Sequence, residues 1–174
     1  MAAAQVRMET RLIEEGERAA AEALVSGLHP ELVKLLGRLH FRTSYSQNVL
    51  AHSVEVAQLA ANLAADLGAD QVTARRGGLL HDIGKAVSGE VPGPHALVGA
   101  DFCRKYGESE AVCHAVEAHH EEVPQRSLEV VLVQSCDALS AARPGSRRED
   151  TSVYLKRLFD LEKLGRETPG VDNC

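Results

Sequence analysis

The longest helical pattern in this sequence carries an imidazole on its apolar side. Between Gln47 and Leu67 apolar residues recur at helical spacing, Gly68 follows as a stop, and His52 falls in line with Val49, Val56, Leu59 and Leu63. A stripe of that kind faces a core, so the sequence predicts a buried His52. Burial disfavours the imidazolium, which leaves a neutral ring that must hydrogen-bond or bind a metal. Taken alone, a hydrogen-bonded core histidine is the better reading, and the rest of the chain decides between the two.

Further helices account for most of that rest. Residues Glu9–Val25 hold helix formers with a narrow apolar stripe, an appendage that needs a partner to settle against. Pro30 opens a segment in which Leu32, Leu35, Leu36 and Leu39 recur at helical spacing up to His40. Asp70 caps a helix predicted to run to Ile83 and to end at Gly84. After a loop at Ser88–Pro94, helices are expected over His95–Tyr106, Ser109–His120 and Ser127–Ala142, and a last one beyond Pro144-Gly145 over Thr151–Leu164. The 174 residues suit one domain, and with 3% aromatics and no Trp its core must be built from Leu, Val and Ala between closely packed helices. That excludes an all-β sandwich. The expected fold class is all-α, a helical bundle of about seven to eight helices. The expected organisation is a helical appendage over 1–28, the main domain over 29–165 and a tail over 166–174.

Two further segments put charge into these apolar patterns. His81-Asp82 stands between Leu79-Leu80 and Ile83-Gly84, and Asp137 shares a helix face with Val130, Val133 and Ala141. A buried carboxylate is costly without a cation or several donors. His52, the His81-Asp82 pair and Asp137 come from three separate core helices and need the same compensation, so together they point to a metal centre. His95 opens a helix after Pro94, and His119 follows Val112 and Val116 on a helix face, with His120 beside it. If these converge as well, the side chains exceed what one ion with an open position takes, so one or two divalent ions are expected. Nitrogen and oxygen ligands without thiolate suit Mn, Mg, Fe or Zn alike. His120 is left open between ligand and bystander, while His29, His40 and His114 read as surface or packing residues.

The pattern His52, His81-Asp82, Asp137 resembles the HD superfamily of metal-dependent phosphohydrolases, with His81-Asp82-Ile83-Gly84-Lys85 as its HDIG variant. The runs GLHPELVKLLGRLHFRTSYSQNVLAHSVEVAQLA, GLLHDIGKAV, GPHALVGA and DALSAARPGSRRE are similar to the catalytic HD region of the bacterial ribonuclease Y family, over about Glu14 to Leu164. The resemblance implies an endoribonuclease that cleaves single-stranded RNA with metal-activated water. It implies that His52, His81, Asp82 and Asp137 bind a first metal, that His95 and His119 serve a second, and that Lys85 contacts substrate phosphate. His81, Asp82 and Lys85 are then the catalytic residues. Arg143, within the resembling motif, and Arg147 are expected to help clamp phosphate, with Arg148 beside them, and Arg38 and Arg42 to form a second basic edge before Tyr45. Ser46 stands where family members carry Gly and is given no role.

Relatives in that family also have a membrane helix, a coiled coil and an RNA-binding KH domain, which are expected to lie outside these residues. The ending Pro169–Cys174 favours an excised module over a standalone relative. No apolar run reaches the roughly 20 residues that cross a bilayer, so the chain as it stands is expected to be cytoplasmic, whereas full-length relatives are anchored at the inner membrane face. Cys103, Cys113 and Cys136 read as buried thiols and Cys174 as exposed. No nucleophile elbow or P-loop appears, which removes serine hydrolases and NTPases. A net charge of 19 − 25 = −6 opposes tight non-specific RNA binding. Two other functions therefore stay open: an HD phosphohydrolase acting on small nucleotides or dinucleotides, and a non-catalytic helical module that metal merely stabilises. The thin apolar face of Glu9–Val25 favours packing on a second subunit, in a homodimer, or on an upstream domain.

Overall fold

A computed structural model describes residues 2–44, 47–142, 159–160 and 162–164. The described residues form α1 (Ala2–Glu22), α2 (Pro30–Leu39), the two-residue strands β1 (Thr43–Ser44) and β2 (Gln47–Asn48), α3 (Val49–Leu67) and α4 (Gln71–Leu80). They continue through a 3-10 turn (Ile83–Val87) to α5 (His95–Lys105), α6 (Glu110–Ala118) and α7 (Leu128–Ala142). The fold is all-α apart from the small antiparallel ribbon, in which Thr43 pairs with Asn48 and Ser44 with Gln47. Among the described residues no helix is long and apolar enough to cross a membrane.

Four of the helix starts have a local cause. Asn48 accepts a hydrogen bond from the Ala51 amide, Asp70 from that of Val72 and Ser109 from that of Val112, which satisfies donors that the first helical turn leaves unpaired. Pro30 takes the first position of α2, and His29 before it caps the Glu31 amide through Nδ1. Gly68, at a φ of 70°, ends α3 as predicted.

Packing follows from small residues. Ala57, Ala60, Ala61, Ala64, Ala74, Ala115 and Ala118 are buried, and they let α3, α4, α6 and α7 approach closely. A second cluster, centred on Leu32, Leu36, Leu39, Leu79, Leu80 and Ile83, joins α1 and α2 to the rest. The helix Ala2–Glu22 begins earlier than the sequence pattern, and its narrow stripe finds a partner within the chain: Leu12, Glu15, Ala19 and Ala20 are buried, and α1 packs chiefly on α2. Val6 and Ile13 stay exposed on another flank, and Met8, in register with Leu12 and Ala19, is exposed as well.

Two further boundaries, both beside the site, differ from expectation. Gln47 and Asn48 belong to the ribbon and not to α3, because Asn48 serves as the cap and the chain reverses before it. The helix expected to run from Asp70 to Ile83 ends at Leu80, and Gly84 lies inside a 3-10 turn and not beyond a helix end. Its requirement is space: a Cβ there would stand 2.0 Å from the His95 carbonyl oxygen, so only glycine lets this turn rest against the start of α5. The expected helix Thr151–Leu164 falls largely outside the described residues.

Candidate metal centre

His81 and Asp82 sit where α4 gives way to the 3-10 turn, a bend that turns two consecutive side chains into the middle of the bundle. Both are buried, at 0% and 1% exposure. His52 comes from the first turn of α3, Asp137 from α7, His95 from the first position of α5, and His119 from the C-terminal end of α6. The structure thus brings the six expected ligand residues to one place. His52 Nε2 lies 2.9 Å from Asp137 Oδ1, and His81 Nε2 lies 3.9 Å from that oxygen and 3.5 Å from Asp82 Oδ2. On the other side of Asp82, Oδ1 stands 3.2 Å from His95 Nε2 and 4.0 Å from His119 Nε2.

Hydrogen-bond accounting shows what these atoms lack. His81 Nδ1 lies 2.7 Å from the Gly78 carbonyl and His119 Nδ1 2.6 Å from that of Val116. A carbonyl only accepts, so Nδ1 carries the proton in each ring and Nε2 presents a lone pair to the centre. His81 Nε2, Asp82 Oδ1, His95 Nε2 and His119 Nε2 are buried without a hydrogen-bond partner. The 3.2 Å approach of His95 to Asp82 is close enough for attraction, but it lacks hydrogen-bond geometry. An orphaned buried polar atom costs about 1–3 kcal/mol. Four of them facing one another are what a cation would satisfy. Ligands about 2.0–2.2 Å from one ion stand roughly 3–4 Å from each other, the range seen here. The donor atoms fall into three groups within 4.8 Å: His52, His81 and Asp137; His81, Asp82 and His119; and His95, His119 and His120. The side chains present therefore fit one or two divalent cations, with Asp82 presenting one oxygen to each side.

The electrostatics agree. Burial would raise the Asp82 carboxyl, but the facing imidazoles of His81 and His95 and the Lys85 ammonium hold it well below the usual carboxylate range. Asp137 is likewise opposed by burial and is still drawn down to about 2 by His52 and His81. Burial, then His81 and His120, push His119 down to about 3, leaving a neutral ring able to ligate. His81 shifts upward, because Asp82 and Asp137 outweigh its desolvation.

A cleft of about 460 Å³ opens onto these residues, lined also by Lys85, His120 and, from the ribbon and the start of α3, Ser44, Gln47 and Val49. Lys85 Nζ is 2.8 Å from Asp82 Oδ2 and partly exposed. Its ammonium therefore stands beside the ligands with one side to solvent. His120, which the sequence left open, lines the cleft and completes a ligand group. Ser44 and Gln47 were missed. The signal available for them was Asn48 as a helix cap, which implies a chain reversal that carries the preceding residues over the start of α3. Arg143, Arg147 and Arg148, with Tyr45 and Ser46, lie outside the described residues. Arg38 and Arg42 do not offer free charge to the cleft: Arg38 pairs with Glu90 at 3.2 Å, and Arg42 donates to the carbonyls of Ala86 and Ser88. His29 stacks on Tyr106, and His114 is half-buried between Glu117 and the Arg126 amide, both in packing roles.

Comparison with known proteins agrees with this architecture. Ribonuclease Y of Thermoanaerobacter pseudethanolicus is 55% identical over 169 residues, 97% of this chain and 33% of that protein. Ribonuclease Y of Desulforudis audaxviator is 56% identical over 167 residues, 96% of this chain and 33% of that protein. The chain thus spans about a third of the length of these curated relatives. A crystal structure of a predicted HD superfamily hydrolase from an uncultured Thermotogales bacterium superposes with a TM-score of 0.52 at 20% identity, covering 77% of this chain and 75% of that one, a likeness of fold alone. The HD domain family model matches residues 49–142, the span that runs from the start of α3 to the end of α7 and contains every residue of the centre. By that match the chain belongs to the HD-domain family.

Proposed function

We propose that the chain is the catalytic module of a ribonuclease Y-like, metal-dependent phosphodiesterase that cleaves single-stranded RNA. The observation that carries the reading is the set of buried imidazole and carboxylate atoms facing one another without hydrogen-bond partners. On this reading His52, His81, Asp82 and Asp137 hold one ion, and His95 and His119, joined by His120, hold a second. Divalent cations held there would supply Lewis-acid polarisation of a phosphoester and a water acidified towards a pKa of about 7.

The chain's own side chains do the rest. Asp82 and Asp137 remain anionic and supply the negative charge that retains a cation. His81 and His119, each fixed by a backbone carbonyl, keep their lone pairs aimed inward without rotating. Lys85 receives a phosphate oxygen at the mouth of the cleft, and its bond to Asp82 keeps it extended in that position. Arg143 and Arg147 are proposed to add charge to the same phosphate. Cys103, Cys113 and Cys136 are buried free thiols, which suits a reducing cytoplasm. The exposed Val6 and Ile13, seven residues apart along α1, support a homodimer that buries this face.

The test compares a 5′-labelled RNA oligomer with a panel of nucleotides, with Mn²⁺ added or chelated. Internal RNA fragments that vanish on chelation, and in His81→Ala and Asp137→Ala, are expected. Free phosphate or mononucleotide from the panel, with intact RNA, would instead assign a small-nucleotide phosphohydrolase, the reading that the net charge of −6 favours. Turnover that survives chelation would sink both.

A further inference from the structure

His81 and His119 are oriented by main-chain carbonyls, which no side-chain substitution removes. His52 is held differently. Its Nδ1 lies 2.9 Å from the hydroxyl of Ser140, which is fully buried, and that hydroxyl donates to Glu55 Oε2 at 2.8 Å. The Gln47 amide reaches the same hydroxyl oxygen at 3.5 Å. Glu55 lies one turn beyond His52 on α3, and Ser140 one turn beyond Asp137 on α7. Two helices thus each supply one residue to the centre and one residue behind it.

A hydroxyl has one proton to donate and two lone pairs to accept with. Glu55 takes the proton and Gln47 approaches one lone pair, so towards His52 the Ser140 oxygen can only accept. His52 must then carry a proton on Nδ1; its Nε2 donates to Asp137 Oδ1 at 2.9 Å where no cation stands between them, and is the nitrogen left to face a cation where one does. A hydroxyl, unlike a carbonyl, can reverse. Without an acceptor behind it, Ser140 would turn its proton onto Nδ1 and drive the ring to the tautomer that points an N–H into the centre.

We infer that Glu55 and Ser140 are positioning residues that set the direction of a hydrogen-bond chain, Glu55 to Ser140 to His52, and thereby select the metal-binding tautomer of His52. The inference rests on the metal-centre reading for its consequence, but not for its geometry.

The test uses the whole chain freed of metal with a chelator. Long-range ¹H–¹⁵N spectra of the histidine rings, with His52 assigned through His52→Gln, report the proton on Nδ1, and calorimetry reports Mn²⁺ affinity. A protonated Nδ1 is expected in the unsubstituted chain. In Glu55→Ala that proton is lost and Mn²⁺ binding weakens roughly 10–100-fold, the usual cost of removing a group that orients a ligand. Glu55→Gln, whose amide oxygen still accepts, restores both. Ser140→Ala weakens Mn²⁺ binding to a similar extent; should it fail to fold, the Glu55 pair decides alone. An unprotonated Nδ1 in the unsubstituted chain, a Glu55→Ala chain that keeps the proton, or a Glu55→Gln chain that behaves like Glu55→Ala would each overturn the inference. If no Mn²⁺ binds yet the Nδ1 proton responds as described, the metal reading fails and the hydrogen-bond direction stands.

Discussion

At the scale of single residues, the centre stores an unfavourable free energy that a cation would release. Each orphaned atom among His81, Asp82, His95 and His119 was desolvated on folding without receiving a bond in return. Ligand binding to the folded state alone stabilises by about 2.7 kcal/mol at a hundred times Kd, and each kcal/mol moves Tm by about 2–4 °C in a chain of this size. Saturating Mn²⁺ should therefore raise Tm by roughly 5–10 °C in a thermal melt. Asp82→Ala, which removes the carboxylate offered to both sides of the centre, should abolish that rise. A full rise in the Asp82→Ala chain would mean that Mn²⁺ binds elsewhere. The residue types were legible in the sequence because a charged pair set between Leu79-Leu80 and Ile83-Gly84 must be compensated where it is buried, and a cation does that for both members at once. Ser140 and Glu55 were not, since a serine and a glutamate on helices have many innocent uses.

At the scale of elements, the join between the 3-10 turn and α5 sets the distance between Asp82 and His95. Gly84→Ala would put a methyl against the His95 carbonyl, and overpacking of that kind costs about 1–3 kcal/mol. Denaturant melts should show this loss, and calorimetry should show weakened Mn²⁺ binding as α5 is displaced. A second element contact joins α5 to α6: Arg104 lies 2.6 Å from Glu117 and 2.7 Å from Glu110. Burial would raise Glu117, but hydrogen bonds from Arg104 and His114 win and hold its carboxyl below the ordinary 4.5. A depressed carboxyl stabilises the fold above its unfolded value, and the contribution is lost as pH falls through the folded value. Glu117→Gln should thus cost about 1 kcal/mol at neutral pH. The gap to the parent chain should close in melts taken progressively below 4.5. A gap that persists in acid would assign the loss to packing. Helix positions were readable from caps and spacing, whereas the 3-10 turn was not, because Gly84 looks the same whether it ends a helix or makes room for a neighbour.

At the scale of the whole molecule, charge and surface bear on partners. A net charge of −6 leaves few cations to release counterions, so RNA affinity of this chain should be weak and should fall only shallowly with salt in a titration. Sedimentation should show a dimer that Val6→Glu with Ile13→Glu converts to a monomer; an unchanged dimer would move the interface away from α1. The sequence by itself determined the fold class, the Asp70 and Gly68 caps and which ionisable residues are carried into the bundle, because burying an ionisable group in an apolar helical stripe demands compensation wherever the helix ends up. Only the tertiary structure decided that α1 packs on α2, that the ribbon borders the cleft, that His120 joins His95 and His119, and that Ser140 turns its proton towards Glu55. Those outcomes depend on distances between segments far apart in the chain, and a periodic pattern along one helix contains no information about which neighbour will meet it.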